Sequence, residues 1–134
     1  MRRLPALLAL AVLALPGCGD RTPSDEEQVR EVLTTFARST ERRDYRTLCD
    51  EIFAPKLLSG LQAIGLPCEV ALRNSLGEVK NPRLTVGKVT VKGKTATADV
   101  RTAAEGQEPS SDTIRLDKIK EKWRVSDLDA PRAG

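Results

Sequence analysis

The 134-residue chain contains no histidine. That removes the side chain that most readily serves as a general base near neutral pH, and with it the commonest ligand of transition metals. Aromatic residues are scarce too, with two Phe, one Tyr and one Trp, so a core must be built from Leu, Val, Ile and Ala. There is no Gly-rich phosphate-binding run, and no Ser, Cys or Lys stands at a recognisable spacing from a base. A formal charge of +3 is too small to make the chain a nucleic-acid binder on charge alone, and no nucleic-acid partner is expected. Of the three cysteines, the two left when Cys18 is set aside cannot complete a tetrahedral zinc shell unless carboxylates join them. No metal, no cofactor and no catalytic residue is therefore assigned.

What is present begins at the N-terminus. Arg2 and Arg3 precede an almost continuous apolar run from Leu4 to Leu15. At about 1.5 Å per residue this run is too short to cross a hydrocarbon core of roughly 30 Å as a helix, and it suits the apolar region of a signal peptide. It ends in Leu15-Pro16-Gly17-Cys18, which resembles the lipobox of bacterial lipoproteins, with Pro16 departing from the small residue usual there. The resemblance implies a signal peptide over 1–17, removed before Cys18, and acylation of Cys18 with palmitate-type chains. Membrane lipid is then the first partner, and the location is the extracytoplasmic face of the cell membrane. The alternative is an ordinary secreted protein with a chance cysteine. Residues 18–23 are polar, with Gly19 and Pro23, and read as a tether.

The remaining chain reads as one domain over 24–130, with a frayed tail at 131–134. Ser24 and Glu27 form a capping box, and Val29, Val32, Leu33, Phe36, Ala37 and Thr40 make one apolar stripe on a helix from about Asp25 to Arg43. Asp44 caps a second helix carrying Tyr45, Leu48, Cys49, Ile52 and Phe53, and Pro55 interrupts it. A helical pattern resumes from Lys56 to Ile64 and ends at Gly65, and Pro67 opens a further short helix. From Leu84 the period changes to alternation. The phase slips at Gly87-Lys88, where an extra residue makes a β-bulge, and Lys92-Gly93-Lys94 reads as a hairpin turn. Ala96, Ala98 and Val100 form a second strand, Glu105 to Ser111 a polar loop, and Ile114, Leu116 and Ile119 a third strand. Lys120-Glu121-Lys122 turns the chain into a fourth strand with Trp123, Val125 and Leu128. Helices followed by an antiparallel meander is an α+β layout: three N-terminal helices packed on a curved sheet.

Cys49 and Cys68 form an even pair in a chain expected in an oxidising compartment. A bridge between them closes a loop of about 20 residues, worth on the order of 3 kcal/mol in the chain-entropy account. Two buried free thiols are the alternative.

The order of elements resembles the nuclear-transport-factor-2-like (SnoaL-like, cystatin-like) superfamily. Val29-x-x-Val32-Leu33-x-x-Phe36, then Arg43-Asp44-Tyr45-Arg46-Thr47-Leu48-Cys49, resembles small bacterial lipoproteins of this type. Cys68-Glu69-x-Ala71-Leu72 resembles their second cysteine region, and Ile119 to Leu128 their closing hairpin, where Gly usually stands at Glu121 or Lys122. The resemblance covers about Ser24 to Asp129. It implies a cone with a pocket between helix and sheet, for which Phe36, Tyr45, Phe53 and Trp123 are the candidate lining residues. Some members are isomerases, dehydratases, cyclases or epoxide hydrolases with Asp, His, Tyr or Arg in the pocket, and many only bind.

Two functions follow. The first is a non-catalytic binding or interaction module tethered to the membrane, holding a small apolar ligand or an envelope protein. The alternative is an isomerase- or dehydratase-type enzyme using Asp127 and Tyr45 as acid and base. Lys88, Lys92, Lys94, Lys118, Lys120 and Lys122 also concentrate basic charge in the expected strand turns. Each would add about 1 kcal/mol toward an anionic lipid surface, unless their role is to guard sheet edges.

Overall fold

The structure is a computed structural model that describes residue 17 and residues 21–131, so the whole apolar N-terminal run, Cys18, the start of the expected tether and 132–134 lie outside the described residues. Helix α1 (Asp25–Arg42) starts at the expected box: the Ser24 hydroxyl accepts from the Glu27 amide, and the Glu27 carboxylate accepts from the Ser24 amide at 2.7 Å. Its stripe buries Val29 and Leu33 completely, because residues four apart share a face. Arg43 ends the helix in the left-handed region, and its guanidinium donates to the carbonyls of Gly77 and Val79.

The expected second helix is broken into pieces. One turn, α2 (Tyr45–Thr47), capped by Asp44, widens into a π-helical turn (Leu48–Ile52). The wider turn carries Leu48, Cys49 and Ile52 into the core together, and Arg124 donates to two of its carbonyls, those of Asp50 and Glu51. Pro55 then opens α3 (Pro55–Ala63) rather than only ending the helix before it, since the first helical position needs no amide donor. Gly65, at φ 68°, turns the chain toward α4 (Cys68–Leu76). Cys49 and Cys68 are joined by a disulfide with Cα atoms 6.0 Å apart.

The sheet is an antiparallel meander of β1 (Arg83–Lys92), β2 (Thr95–Ala104), β3 (Gln107–Ile119) and β4 (Lys122–Asp127), in the order β1-β2-β3-β4. Each pair of neighbours contains a register shift. The first is the expected bulge, where Gly87 and Lys88 face Asp99; a Cβ on Gly87 would lie 3.2 Å from the Asp99 carbonyl oxygen. Bulges bend strands, and three of them curl the sheet around α1. The core is Val29, Leu33, Leu48, Ile52 and Phe53 from the helical layer against Ala96, Ala98, Val100, Ile114, Leu116 and Val125 from the sheet.

Two expectations are corrected. Residues 105–111 are not a loop: only Glu105 and Gly106 turn, and β3 begins at Gln107. Pro109 is tolerated because it sits in the second bulge, where two residues of β3 face Ala103 of β2, and a bulge residue gives up its ladder bond. The lysines are also not all in turns. Lys88 lies in the bulge within β1 and Lys118 within β3, which leaves Lys92, Lys94, Lys120 and Lys122 at the turns.

One polar staple joins the helical layer to the sheet. Oδ1 of Asp25, the first residue of α1, accepts from Lys118 Nζ at 2.9 Å and from the indole N–H of Trp123 at 3.0 Å. The Lys118 bond, then the Trp123 bond, hold the Asp25 carboxyl below its ordinary pKa of 3.8. The Ser24 amide does the same for Glu27, and the Thr47 side chain for Asp44. A carboxylate with a depressed folded pKa contributes stability above its unfolded pKa and loses it as pH falls through the folded one. Thermal melts should therefore hold level from pH 7 to 5 and drop below about pH 4. An Asp25→Asn chain should melt lower at pH 7 and show a shallower acid drop; two curves that stay parallel down to pH 2 would remove the staple from the account.

Candidate functional site

The helical layer and the curled sheet diverge at one end, and there they enclose a cavity of about 410 Å³. One wall is the C-terminal half of α1, through Phe36, Ala37 and Thr40. A second is α4, through Leu72, Ser75 and Leu76. The sheet contributes Arg83 and Leu84 from β1, Thr102, Ala103 and Ala104 from β2, and Gln107, Glu108 and Ser110 from β3. The floor carries Phe36 and Phe53, whose rings sit 6.0 Å apart and tilted by 58°. Most of the lining is aliphatic or aromatic carbon. The charged groups in it are Arg83 and Glu108, both exposed to solvent. This is the usual make-up of a small-molecule pocket, an apolar container with a few polar groups at its edge.

Two of the four residues expected in the lining are there, Phe36 and Phe53. Tyr45 and Trp123 are not. Trp123 packs in the core with its indole N–H committed to Asp25. Tyr45 is also a core residue, and its hydroxyl has no hydrogen-bond partner among the described residues. Asp127 does not line the cavity either. The expectation that it shares the phase of Trp123 and Val125 fails at the third bulge: Ser126 is the extra residue, tucked inward beside Val125, and Asp127 is turned out to solvent. There its carboxylate accepts from the Asp129 amide at 2.9 Å and shapes the turn that follows β4. Leu128, expected as a buried strand residue, is 40% exposed and lines the cavity instead.

The lining that sequence reasoning missed includes the α4 wall and, on the sheet, Thr102, Ala103, Ala104, Gln107, Glu108 and Ser110. Those sheet residues reach the cavity only because β2 and β3 run past the end of β4 and curl. The periodicity of Leu72 and Leu76 was the available signal for the α4 wall. Among the described residues, no group of three or more Cys, Asp or Glu side chains is placed to hold a metal ion. The depressed carboxylates Asp25, Glu27 and Asp44 all lie at helix starts and outside the cavity lining.

The architecture is that of the nuclear-transport-factor-2-like (NTF2-like) proteins, as the comparison with solved structures shows. An NTF2-like protein of unknown function from Shewanella baltica superposes with a TM-score of 0.56 at 17% identity, covering 79% of this chain and 93% of that one. A candidate dehydratase of the NTF2-like family from Streptomyces avermitilis gives 0.51 at 19% identity, over 75% of this chain and 90% of that one. A candidate aromatic ring hydroxylase from Novosphingobium aromaticivorans gives 0.51 at 14% identity, over 83% and 94%. The chain has the NTF2-like fold. No family model matches the sequence, and no curated protein matches it significantly.

Proposed function

We propose that this protein is a membrane-anchored extracytoplasmic lipoprotein whose NTF2-like domain binds a small apolar molecule without transforming it. The observation that carries the binding reading is the cavity itself: about 410 Å³, walled by Phe36, Phe53, Leu72, Leu76 and Leu84, with Arg83 and Glu108 at its exposed edge. The anchor rests on the Leu15-Pro16-Gly17-Cys18 run. No helix among the described residues is long and apolar enough to cross a membrane. The Cys49–Cys68 disulfide supports an oxidising location.

The test is binding of an apolar fluorophore such as 1-N-phenylnaphthylamine, followed by titration of the Ala37→Trp chain. One probe per folded protein, lost when the indole fills the space beside Phe36 while the melting temperature stays within a few degrees, is the expected result. A wild-type protein that takes up no probe and carries no small molecule in native mass spectrometry would end the ligand reading.

The names of two fold neighbours favour an enzyme as the second reading, but the expected acid and base, Asp127 and Tyr45, both lie outside the cavity lining. It requires turnover of whatever co-purifies by groups of the cavity lining, and turnover unchanged on Asp127→Asn.

A further inference from the structure

The anchor reading leaves the orientation of the domain open, and the two lysine-bearing turns supply it. The β1–β2 turn carries Lys92 and Lys94, and the β3–β4 turn carries Lys120 and Lys122. These turns stand side by side, since the Lys118 amide donates to the Lys94 carbonyl at 2.8 Å. The start of α1 is at the same end, because Asp25 is held by Lys118 and Trp123. The chain therefore enters the domain beside the lysines.

All four turn lysines are exposed, and none has a carboxylate within 4.0 Å among the described residues. Of the nearby acids, Glu26 pairs with Arg30, Glu27 with Arg21 and Asp117 with Arg115, while Asp25 and Glu121 share Lys118, at 2.9 and 3.7 Å, so one carboxylate stands against the four lysines. This end thus presents uncompensated positive charge. At the opposite end, basic and acidic groups interleave: Arg83 shares one concavity with Glu108 and another with Glu41 and Arg43.

We propose that the paired turns form a docking surface for anionic phospholipid headgroups, with Lys92, Lys94, Lys120 and Lys122 as its contacts. The orientation rests on acylation of Cys18; the lysine surface itself does not. From Cys18 to Ser24 an extended chain spans at most about 20 Å, so the anchor keeps this end near the bilayer. Charges at that range are screened over about 8 Å at physiological salt, so the turns act only in contact with the headgroups. Each lysine there strengthens partitioning about fivefold. The cavity is lined by the start of β1, the end of β2 and the start of β3, which is the far end of the sheet. It consequently opens away from the membrane, and its ligand arrives from the extracytoplasmic side rather than out of the bilayer.

The experiment is amine-acylation footprinting of the processed protein, isolated from membranes and reconstituted in vesicles, with its intact mass taken first. On vesicles of equimolar phosphatidylglycerol and phosphatidylcholine, labelling of the four lysines should slow about fivefold relative to Lys56 and Lys80. The protection should vanish on pure phosphatidylcholine and at about 0.5 M salt. Equal labelling of all lysines on both vesicle types, with acylated Cys18 in the mass, overturns the proposal and leaves the anchor intact. If the mass shows no acyl group, the anchor reading fails instead. The same protein is then sedimented with the anionic vesicles: salt-sensitive binding, lost in K92Q/K94Q/K120Q/K122Q, sustains the lysine surface, and no binding overturns it. The quadruple variant changes only exposed turn and strand-end residues, so its fold is not at stake.

Discussion

Replacing Leu33 by alanine lowers the unfolding free energy by about 3 kcal/mol, within the range of about 2 to 5 known for fully buried leucines. Leu33 lies at the middle of α1 with none of its surface exposed, in the cluster that includes Leu48, Leu116 and Val125. The loss has two parts, the transfer of three carbon atoms' worth of burial and the void left where the helix meets the sheet. Collapse into that void is resisted on both sides. The sheet side is fixed by its ladder, and the helix is fixed at its start by Asp25 and at its end by the Arg43 cap. With two Phe, one Tyr and one Trp in the whole chain, no large side chain is free to swing in. Total stabilities of about 5–15 kcal/mol are usual, so this one change would bring the protein close to its unfolding threshold. Urea titration measures it: a midpoint unchanged within error would mean that α1 is not seated on the sheet as described.

The features that were legible in the sequence are those set by neighbours along the chain. The Ser24–Glu27 box needs only four residues to form, and it forms. The Gly87 bulge announced itself because the alternation of Leu84 and Val86 continues in the opposite phase at Val89 and Val91. The features that were hidden are set by residues far apart. Glu108 and Ser110 line the cavity and Pro109 is exposed to solvent, so this stretch carries no apolar alternation and only its pairing with β2 makes it a strand. Asp127 was misplaced because the third bulge depends on how Arg115 and Leu116 meet β4 across the hairpin, and nothing in the sequence of β4 alone marks Ser126 as the extra residue. The cavity was legible as an expectation of the fold, through Phe36 and Phe53, but its α4 wall and its β2–β3 wall required the curl of the sheet.

Reduction of the Cys49–Cys68 bond costs about 3 kcal/mol by the loop-entropy account, since it reopens a loop spanning 19 residues. For a domain of this size that lowers the melting temperature by about 12 °C. The loss should be uneven. The closed loop contains α3, which has no fully buried residue and holds to the core only through the half-buried Leu57 and Leu58. Cys49, by contrast, is buried in the π-helical turn, and Cys68 is the first residue of α4. The bond therefore pins α4, and with it the Leu72, Ser75 and Leu76 wall of the cavity, to the best-packed part of the molecule. Hydrogen exchange on the Cys49→Ala/Cys68→Ala chain should speed up first in α3 and α4, and apolar-probe affinity should fall at temperatures where the sheet is still intact. If the double variant melted within a degree or two of the oxidised protein, the bond would be dispensable and the oxidising compartment would lose its structural rationale. If the melt shifted as expected while probe affinity did not, the cavity wall would be held by packing alone.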